Sequence, residues 1–234
     1  MSEFKVLFIG GSGVISSACA REAVSQGIEL YVLNRGQNTT RPLPDGVRVL
    51  RADARNPAAV RKAVDGLDFD SVVDWVAFTT EHVRNDVDVF QGRTGQYVFI
   101  SSASAYQTPP ARLPVTESTP LRNPFWQYSR DKIACEDLLV KEYRENDFPA
   151  TIVRPSHTYD RTLVPFHGGW TVLGRMLAGK PVIVPGWRAA IPFEQGARQI
   201  AEWYQADPAR QVTDQALDAV MDKLAAAWPP MTTA

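Results

Sequence analysis

Apolar residues fall along this chain in short runs, each closed by glycine or polar residues. Most runs are followed by a longer stretch in which apolar positions return every three or four residues. The short run is the mark of a buried strand, the longer periodic stretch that of a helix. Strands are predicted at 4–9, 29–33, 47–50, 71–76, 96–101 and 150–153. Helices are predicted at 14–26 with Gly27 as the stop, from Asn56-Pro57 to Gly66, at 80–91 and at 125–146. The segment 102–124 is rich in Ser, Thr and Pro and reads as a long loop, a kind of segment that is usually functional inside a compact domain. Regular alternation of strand and helix predicts an α/β fold, a doubly wound parallel sheet of Rossmann type covered on both faces. Right-handed crossovers and a glycine turn after the first strand favour the order 3-2-1-4-5-6.

Beyond residue 155 the rhythm changes. Pro165, Gly168, Gly169, Gly179, Pro181, Pro185 and Gly186 interrupt it, and helices are predicted only at 170–178, 193–205 and 213–227. The expected division is a dinucleotide-binding domain over 1–160 and a small C-terminal substrate region over 161–234. Neither an internal repeat nor a low-complexity tract is seen.

Composition narrows the class. The 234 residues suffice for one full core, and 44% apolar with 22% charged residues is ordinary for a soluble globular chain. A formal charge of −1 gives no reason to expect nucleic acid or an anionic membrane as the main partner. Cys19 and Cys135 make no disulfide framework, so a reduced, cytoplasmic setting is expected. No signal peptide precedes the first strand, and no apolar run reaches membrane-spanning length.

Two features carry chemistry. The first is Gly10-Gly11-Ser12-Gly13-Val14-Ile15-Ser16, between the first strand and the first helix. Such a turn brings backbone amides to a helix N-terminus, where they and the helix dipole bind phosphate. Ser16 stands where a third glycine is usual. Asn34 ends the second strand, where an NAD site usually places a carboxylate; Arg35 follows and can pair with a 2′-phosphate. Asp53-Ala54 closes the third strand within reach of an adenine. The expected cofactor is NADP or NAD, tilted to NADP by Arg35.

The second feature is Tyr128-Ser-Arg-Asp-Lys132, which sets a phenol and an ammonium on one helix face. A neighbouring ammonium is expected to lower the phenol's pKa, so that Tyr128 exchanges a proton with a carbinol or keto oxygen while hydride moves. Ser102, at the end of the fifth strand, offers a hydroxyl to the same oxygen. His82, His157 and His167 lack metal-ligand spacing, so no metal is expected; His157 follows Arg154-Pro155-Ser156 at a strand's C-terminal end, where ligands bind. Trp126, Trp170 and Trp187 read as core or lid packing, and Glu136-Asp137 as a solvated helix face.

The set Gly10-Gly-Ser-Gly13, Asp53, Ser102-Ala-Ser-Ala-Tyr106, Tyr128-x-x-x-Lys132 and Arg154-Pro155 resembles the extended short-chain dehydrogenase/reductase superfamily, most closely its NAD-dependent epimerase/dehydratase branch. The resemblance covers residues 4–160. It implies that Tyr128 is the acid/base and that Lys132 lowers its pKa and holds the nicotinamide ribose. Ser102 would orient the substrate, and backbone after Pro155 would meet the nicotinamide. Ser104 and Tyr106 would line the substrate side. It further implies a nucleotide-linked sugar as substrate and a homodimer formed through the helices at 80–91 and 125–146. Two departures stand out. The ribose carboxylate is absent, and Pro181-Val-Ile-Val-Pro185-Gly186 runs directly into Trp187-Arg188, joining segments that the family keeps far apart. Two other readings fit the same residues: a non-catalytic dinucleotide-binding regulator or RNA-associated relative, and a simple NADPH-dependent ketone reductase.

Overall fold

A computed structural model describes residues 4–38, 40–163, 168–182 and 200–227. It contains one six-stranded parallel sheet in the order β3-β2-β1-β4-β5-β6. The strands are β1 Lys5–Ile9, β2 Glu29–Asn34, β3 Arg48–Arg51, β4 Ser71–Asp74, β5 Tyr97–Ile100 and β6 Ala150–Val153. The order is the one the alternation predicts. Pairing is in register from Lys5↔Glu29 to Ile9↔Leu33 and from Val6↔Ser71 to Ile9↔Asp74.

The central strands are apolar at nearly every position because both faces are covered. On β1, Val6 and Phe8 pack with Leu30, Val32, Ala20 and Ala23, the last two from helix α1 (Val14–Ser25). Leu7 and Ile9 point the other way, into a core with Val60 of α2 (Pro57–Ala63), Val83 and Phe90 of α3 (Thr80–Phe90), and Cys135 and Leu139 of α4 (Gln127–Asn146). Each such fully buried Leu, Ile or Phe contributes roughly 1.5–3 kcal/mol. Local signals set the helix ends. Asn56 caps α2 by accepting from the Ala59 N–H at 3.1 Å, with proline at the first helical turn. Asp147, at φ 53°, ends α4 in the left-handed region. The start of α4 falls at Gln127, two residues later than the pattern predicts, because Asn123 binds the N–H groups of Phe125 and Trp126 and holds them outside the helix.

A buried polar cluster ties three of these elements together. The Tyr97 hydroxyl on β5 lies 3.1 Å from Asp74 Oδ2 on β4 and 2.8 Å from Asp86 Oδ2 on α3. Burial, and then the charge of Asp74 beside it, hold the Asp86 carboxyl well above the usual carboxylate range.

The chain divides into two compact units, one ending at Ser156 and one beginning at His157. In the second, α5 (Trp170–Leu177) packs Leu173 with Ile200 and Tyr204. Trp170 stacks near Tyr204, with ring centres 5.4 Å apart. The buried Arg175 reaches Asp218 at 2.6 Å and Asp222 at 2.7 Å on the helix Gln215–Ala227. The direct junction at Gly186-Trp187, most of the helix at 193–205, and His167 lie outside the described residues. No described helix is long and apolar enough to cross a membrane.

Candidate active site

The glycine turn is built by close approach. Gly10 has φ +81°, and a Cβ there would lie 2.6 Å from Val76 Cγ1; one on Gly11 would lie 2.5 Å from Val32 Cγ1. Only residues without side chains let the chain cross the sheet this tightly. Ser16 has a definite task in place of the third glycine: buried at 2% exposure, it accepts the Gly13 N–H on its Oγ at 2.9 Å. The turn opens onto a cavity of about 330 Å³ lined by Gly10, Ser12, Asn34, Arg35, Asp53 and Ala54, with Leu33, Arg55, Val76 and Phe78. Gly11 sits behind it against Val32, and Gly13, Val14 and Ile15 form the cap and first turn of α1.

Arg35 lies 4.0 Å from Asp53, both largely in water. Arg51, which no motif singled out, donates to Asn34 Oδ1 at 2.8 Å, and its guanidinium lies over Gly36. Arg55 donates to the Val76 carbonyl and lies 5.7 Å from the Phe78 ring. The cavity's rim is therefore cationic, as phosphate binding needs.

At the same end of the sheet Tyr128 stands half-buried between Trp126 and Phe78, with ring centres at 4.8 and 6.2 Å. Of the expected core or lid packing, the core is ruled out for Trp126, which is 54% exposed and lies against Tyr128 at the surface. Ser102 lies beside the Tyr128 phenol and draws its pKa down. Lys132, one turn on, is 2% exposed and donates to the carbonyls of Ala77 (2.6 Å) and Ile100 (2.7 Å). Its Nζ lies 5.8 Å from the Tyr128 ring centre. Burial lowers Lys132 to about 8, against the opposing pull of Asp74.

These contacts correct the expected electrostatics. Burial raises the Tyr128 phenol above its ordinary value, and Ser102 beside it is what draws it back. The Lys132 ammonium nearby does not overturn that rise.

The remaining sequence candidates divide. Ser104 Oγ lies between Ser102 Oγ (2.8 Å) and Ser129 Oγ (2.8 Å). The Tyr106 hydroxyl accepts from Arg154 Nη1 at 3.1 Å. Pro155 uses its carbonyl to accept the Ala103 N–H at 2.9 Å. His157 is exposed at the start of the second unit. His82 accepts the Phe78 N–H at 3.1 Å, a structural role. Among the described residues no group of three His, Cys, Asp or Glu could hold a metal ion.

Glu136 departs from its reading as a solvated residue. It is 2% exposed, bonded to Arg154 at 2.6 Å and to the Ser101 hydroxyl. The spacing that aligns Tyr128 with Lys132 carries Glu136 onto the same inward face. Asp137, one residue on, is exposed as expected.

The neighbouring Cys135 yields a pH prediction. Burial pushes its thiol up from 9 to about 11. Its buried neutral form therefore supports the fold fully below the unfolded thiol's pKa, and this support is lost as pH rises through 9 towards 11. Cys135→Ala is expected to flatten the alkaline fall in unfolding free energy, read by denaturant titration at several pH values. An unchanged slope would exclude Cys135 as its source.

A family model described as NAD(P)H-binding matches residues 10–173. Among curated proteins, the UDP-glucose 4-epimerase of Lactobacillus helveticus is 28% identical over 167 residues, 64% of this chain and 50% of that enzyme. The 2'-dehydrokanamycin reductase of Streptomyces kanamyceticus is 27% identical over 218 residues, 89% of this chain and 60% of that protein. The chain spans about half the length of the epimerases it matches. The solved structure of the Bordetella bronchiseptica enzyme WbmG in complex with NAD and UDP has the same fold, with a TM-score of 0.63 and 21% identity over 78% of this chain and 62% of that one.

Proposed function

We propose a function from one premise: the chain belongs to the NAD(P)H-binding family, in the epimerase/dehydratase branch of the extended short-chain dehydrogenases/reductases. The reaction is oxidation or reduction at a carbon bearing a hydroxyl or keto oxygen. The observation that carries it is the Tyr128 phenol standing beside Ser102 at the sheet's C-terminal end, with the Lys132 ammonium 5.8 Å from its ring centre. A fold alone has no need to aim a phenol and a hydroxyl at one point beside a phosphate-binding turn.

The cavity suits a dinucleotide. The places where a Cβ on Gly10 or Gly11 would strike Val76 or Val32 show a backbone pressed against the sheet, and the rim carries Arg35 and Arg55. Gly10 to Gly13 would hold the pyrophosphate, and Asn34, Arg35, Asp53 and Ala54 the adenosine half. Bound there, the nicotinamide supplies or accepts hydride. Tyr128 gives its phenolic proton to the keto oxygen in one direction and takes the carbinol proton in the other. Ser102 donates to the same oxygen and stabilises its developing negative charge. Lys132 braces the floor through the Ala77 and Ile100 carbonyls and keeps one N–H for a ribose hydroxyl.

The substrate proposed first is a nucleotide-linked sugar, as in the epimerase relatives' names. The relative named as a reductase matches over 89% of this chain, which supports simple ketone reduction as the second reading. Both are tested together by incubating the protein with NAD(P)H or NAD(P) and a panel of UDP-hexoses and ketones. Nicotinamide absorbance reports net redox, and NMR reports epimer formation. Absence of both across the panel overturns the reading.

Cofactor choice gives a separate prediction. With Asn34 in place of a carboxylate and Arg35 and Arg51 beside it, the ribose site favours a 2′-phosphate. Arg35→Ala is expected to weaken NADPH binding by about tenfold or more and NADH binding far less, measured by calorimetric titration. Equal losses for both cofactors would show that Arg35 does not read the phosphate.

A further inference from the structure

We propose that His82 is a positioning residue for Lys132: by holding the Phe78 N–H it turns the Ala77 carbonyl onto the Lys132 ammonium. The consequence for cofactor binding rests on the function proposed above, in which that ammonium meets the ribose.

The turn between β4 and α3 presents two successive peptide groups, and each is gripped at both ends. A trans peptide points its C=O and its N–H in opposite directions. In the first group the Ala77 N–H goes to Asp74 Oδ1 at 2.9 Å, and the Val76 carbonyl on the other side receives Arg55. In the second the Phe78 N–H goes to His82 Nδ1 at 3.1 Å, and the Ala77 carbonyl on the other side receives Lys132 Nζ at 2.6 Å. The Val76 N–H also reaches Asp74 Oδ1, at 2.7 Å, so the first group is pinned to the end of β4. The second group is held from α3, by His82. The other acceptor of Lys132, the Ile100 carbonyl, belongs to β5, which β4 and β6 hold from either side. Of the two acceptors, the one from the turn is thus the one whose direction a side chain sets. The same peptide leads into the Phe78 ring, which lines the cavity and lies 4.9 Å from Lys132 Nζ.

The grip works in one protonation state. Nδ1 accepts only while it carries no hydrogen, so His82 is neutral with its hydrogen on Nε2. The imidazolium donates from both nitrogens and would set a second donor against the Phe78 N–H. Burial, and then the Arg55 charge, hold His82 below its ordinary 6.5; Lys132 of α4 adds to this, while Asp74 of β4 and Glu81 of α3 oppose it. The contact is therefore complete at neutral pH and is released in acid, below 6.5.

His82 stands in the first turn of α3, so a helix-start role alone is the competing account. That account predicts a loss of stability and an undisturbed Lys132. Glutamine in a first turn also reaches back to accept a backbone N–H, and it does not titrate. It therefore separates the contact from the proton.

The test is a pH titration by NMR of the full chain carrying 13C at the lysine Cε atoms. The Lys132 signal is identified by its loss in Lys132→Met, and folding is checked by circular dichroism. The native Lys132 midpoint, about 8, is expected to come with a second, smaller step below pH 6.5. His82→Ala should lower the midpoint by about one pH unit, the scale of a weakened hydrogen bond to a charged group, and remove the acid step. His82→Gln should restore the midpoint and still lack the acid step. A midpoint unmoved in folded His82→Ala overturns the proposal. Should that variant not fold, an acid step that persists in His82→Gln overturns it equally. Shifted midpoints in a protein that transfers no hydride on any panel substrate leave the positioning standing and overturn the proposed function instead.

Discussion

Tyr128→Phe is expected to lower turnover by about 10²–10⁴-fold while leaving dinucleotide affinity nearly unchanged, the range for loss of a general acid/base. The substitution removes one oxygen. The aromatic ring remains, so its contacts with Trp126 and Phe78 survive, as does the ring's approach to Lys132. The proposed pyrophosphate site, Gly10 to Gly13, belongs to a different turn. What is lost is the proton at the substrate oxygen. Steady-state kinetics on a substrate found in the panel, beside NAD(P)H titration of the same variant, separates the two effects. An unchanged kcat would remove Tyr128 from the chemistry, and a parallel loss of cofactor binding would make its role structural.

The second large effect concerns stability. Glu136→Ala is expected to destabilise the first unit by about 3 kcal/mol or more, the scale for breaking a buried ion pair by removing one partner. The Glu136 carboxylate receives three contacts from Arg154, at 3.0, 3.0 and 2.6 Å, and the Ser101 hydroxyl as well. Its removal strands the guanidinium of Arg154, whose side chain is only 20% exposed, and orphans a buried hydroxyl. The Arg154 group also holds Tyr106, at 3.1 Å from its hydroxyl and 5.0 Å from its ring centre. The ends of β5 and β6, the helix α4 and the loop carrying Ser102 and Ser104 are therefore clamped by one carboxylate. Glu136→Gln, which keeps two hydrogen-bonding atoms and loses only the charge, should cost less. Denaturant unfolding of both variants gives the comparison. Equal small losses would mean that the pair contributes little beyond its shape.

The sheet was legible because each strand is an apolar run bounded by turn residues, and that pattern decides burial without reference to partners. Strand order followed from chirality and the glycine turn. The phosphate turn and the pair Tyr128 and Lys132 were equally plain, since local spacing fixes both. Direction and partnership were harder to see. The position of Lys132 on its helix is written in the sequence, but its two carbonyl acceptors come from β5 and from the loop after β4. Glu136 was misread from its acidic neighbour, although its spacing from Lys132 already placed it on the buried face. Ser129 lay inside the motif and was passed over, because only the fold brings Asn123 and Ser104 to it. Arg51 reaches Asn34 across a strand pair, Asn34↔Arg51, that becomes visible only once register is known.

The cluster of Asp74, Asp86 and Tyr97 has a consequence for calorimetry. An aspartic acid in the unfolded chain has given up its hydrogen at neutral pH, with a pKa of about 3.9. Asp86, raised by burial and by Asp74, holds on to it well above that point. Between that point and the raised one, folding therefore takes a proton from the buffer and unfolding gives it back. Acid favours this contribution to the fold, and rising pH withdraws it. Heats of unfolding will contain the protonation enthalpy of whichever buffer is present. In effect, solvent hydrogen ion is a ligand of the native state, seated where β4, α3 and β5 meet.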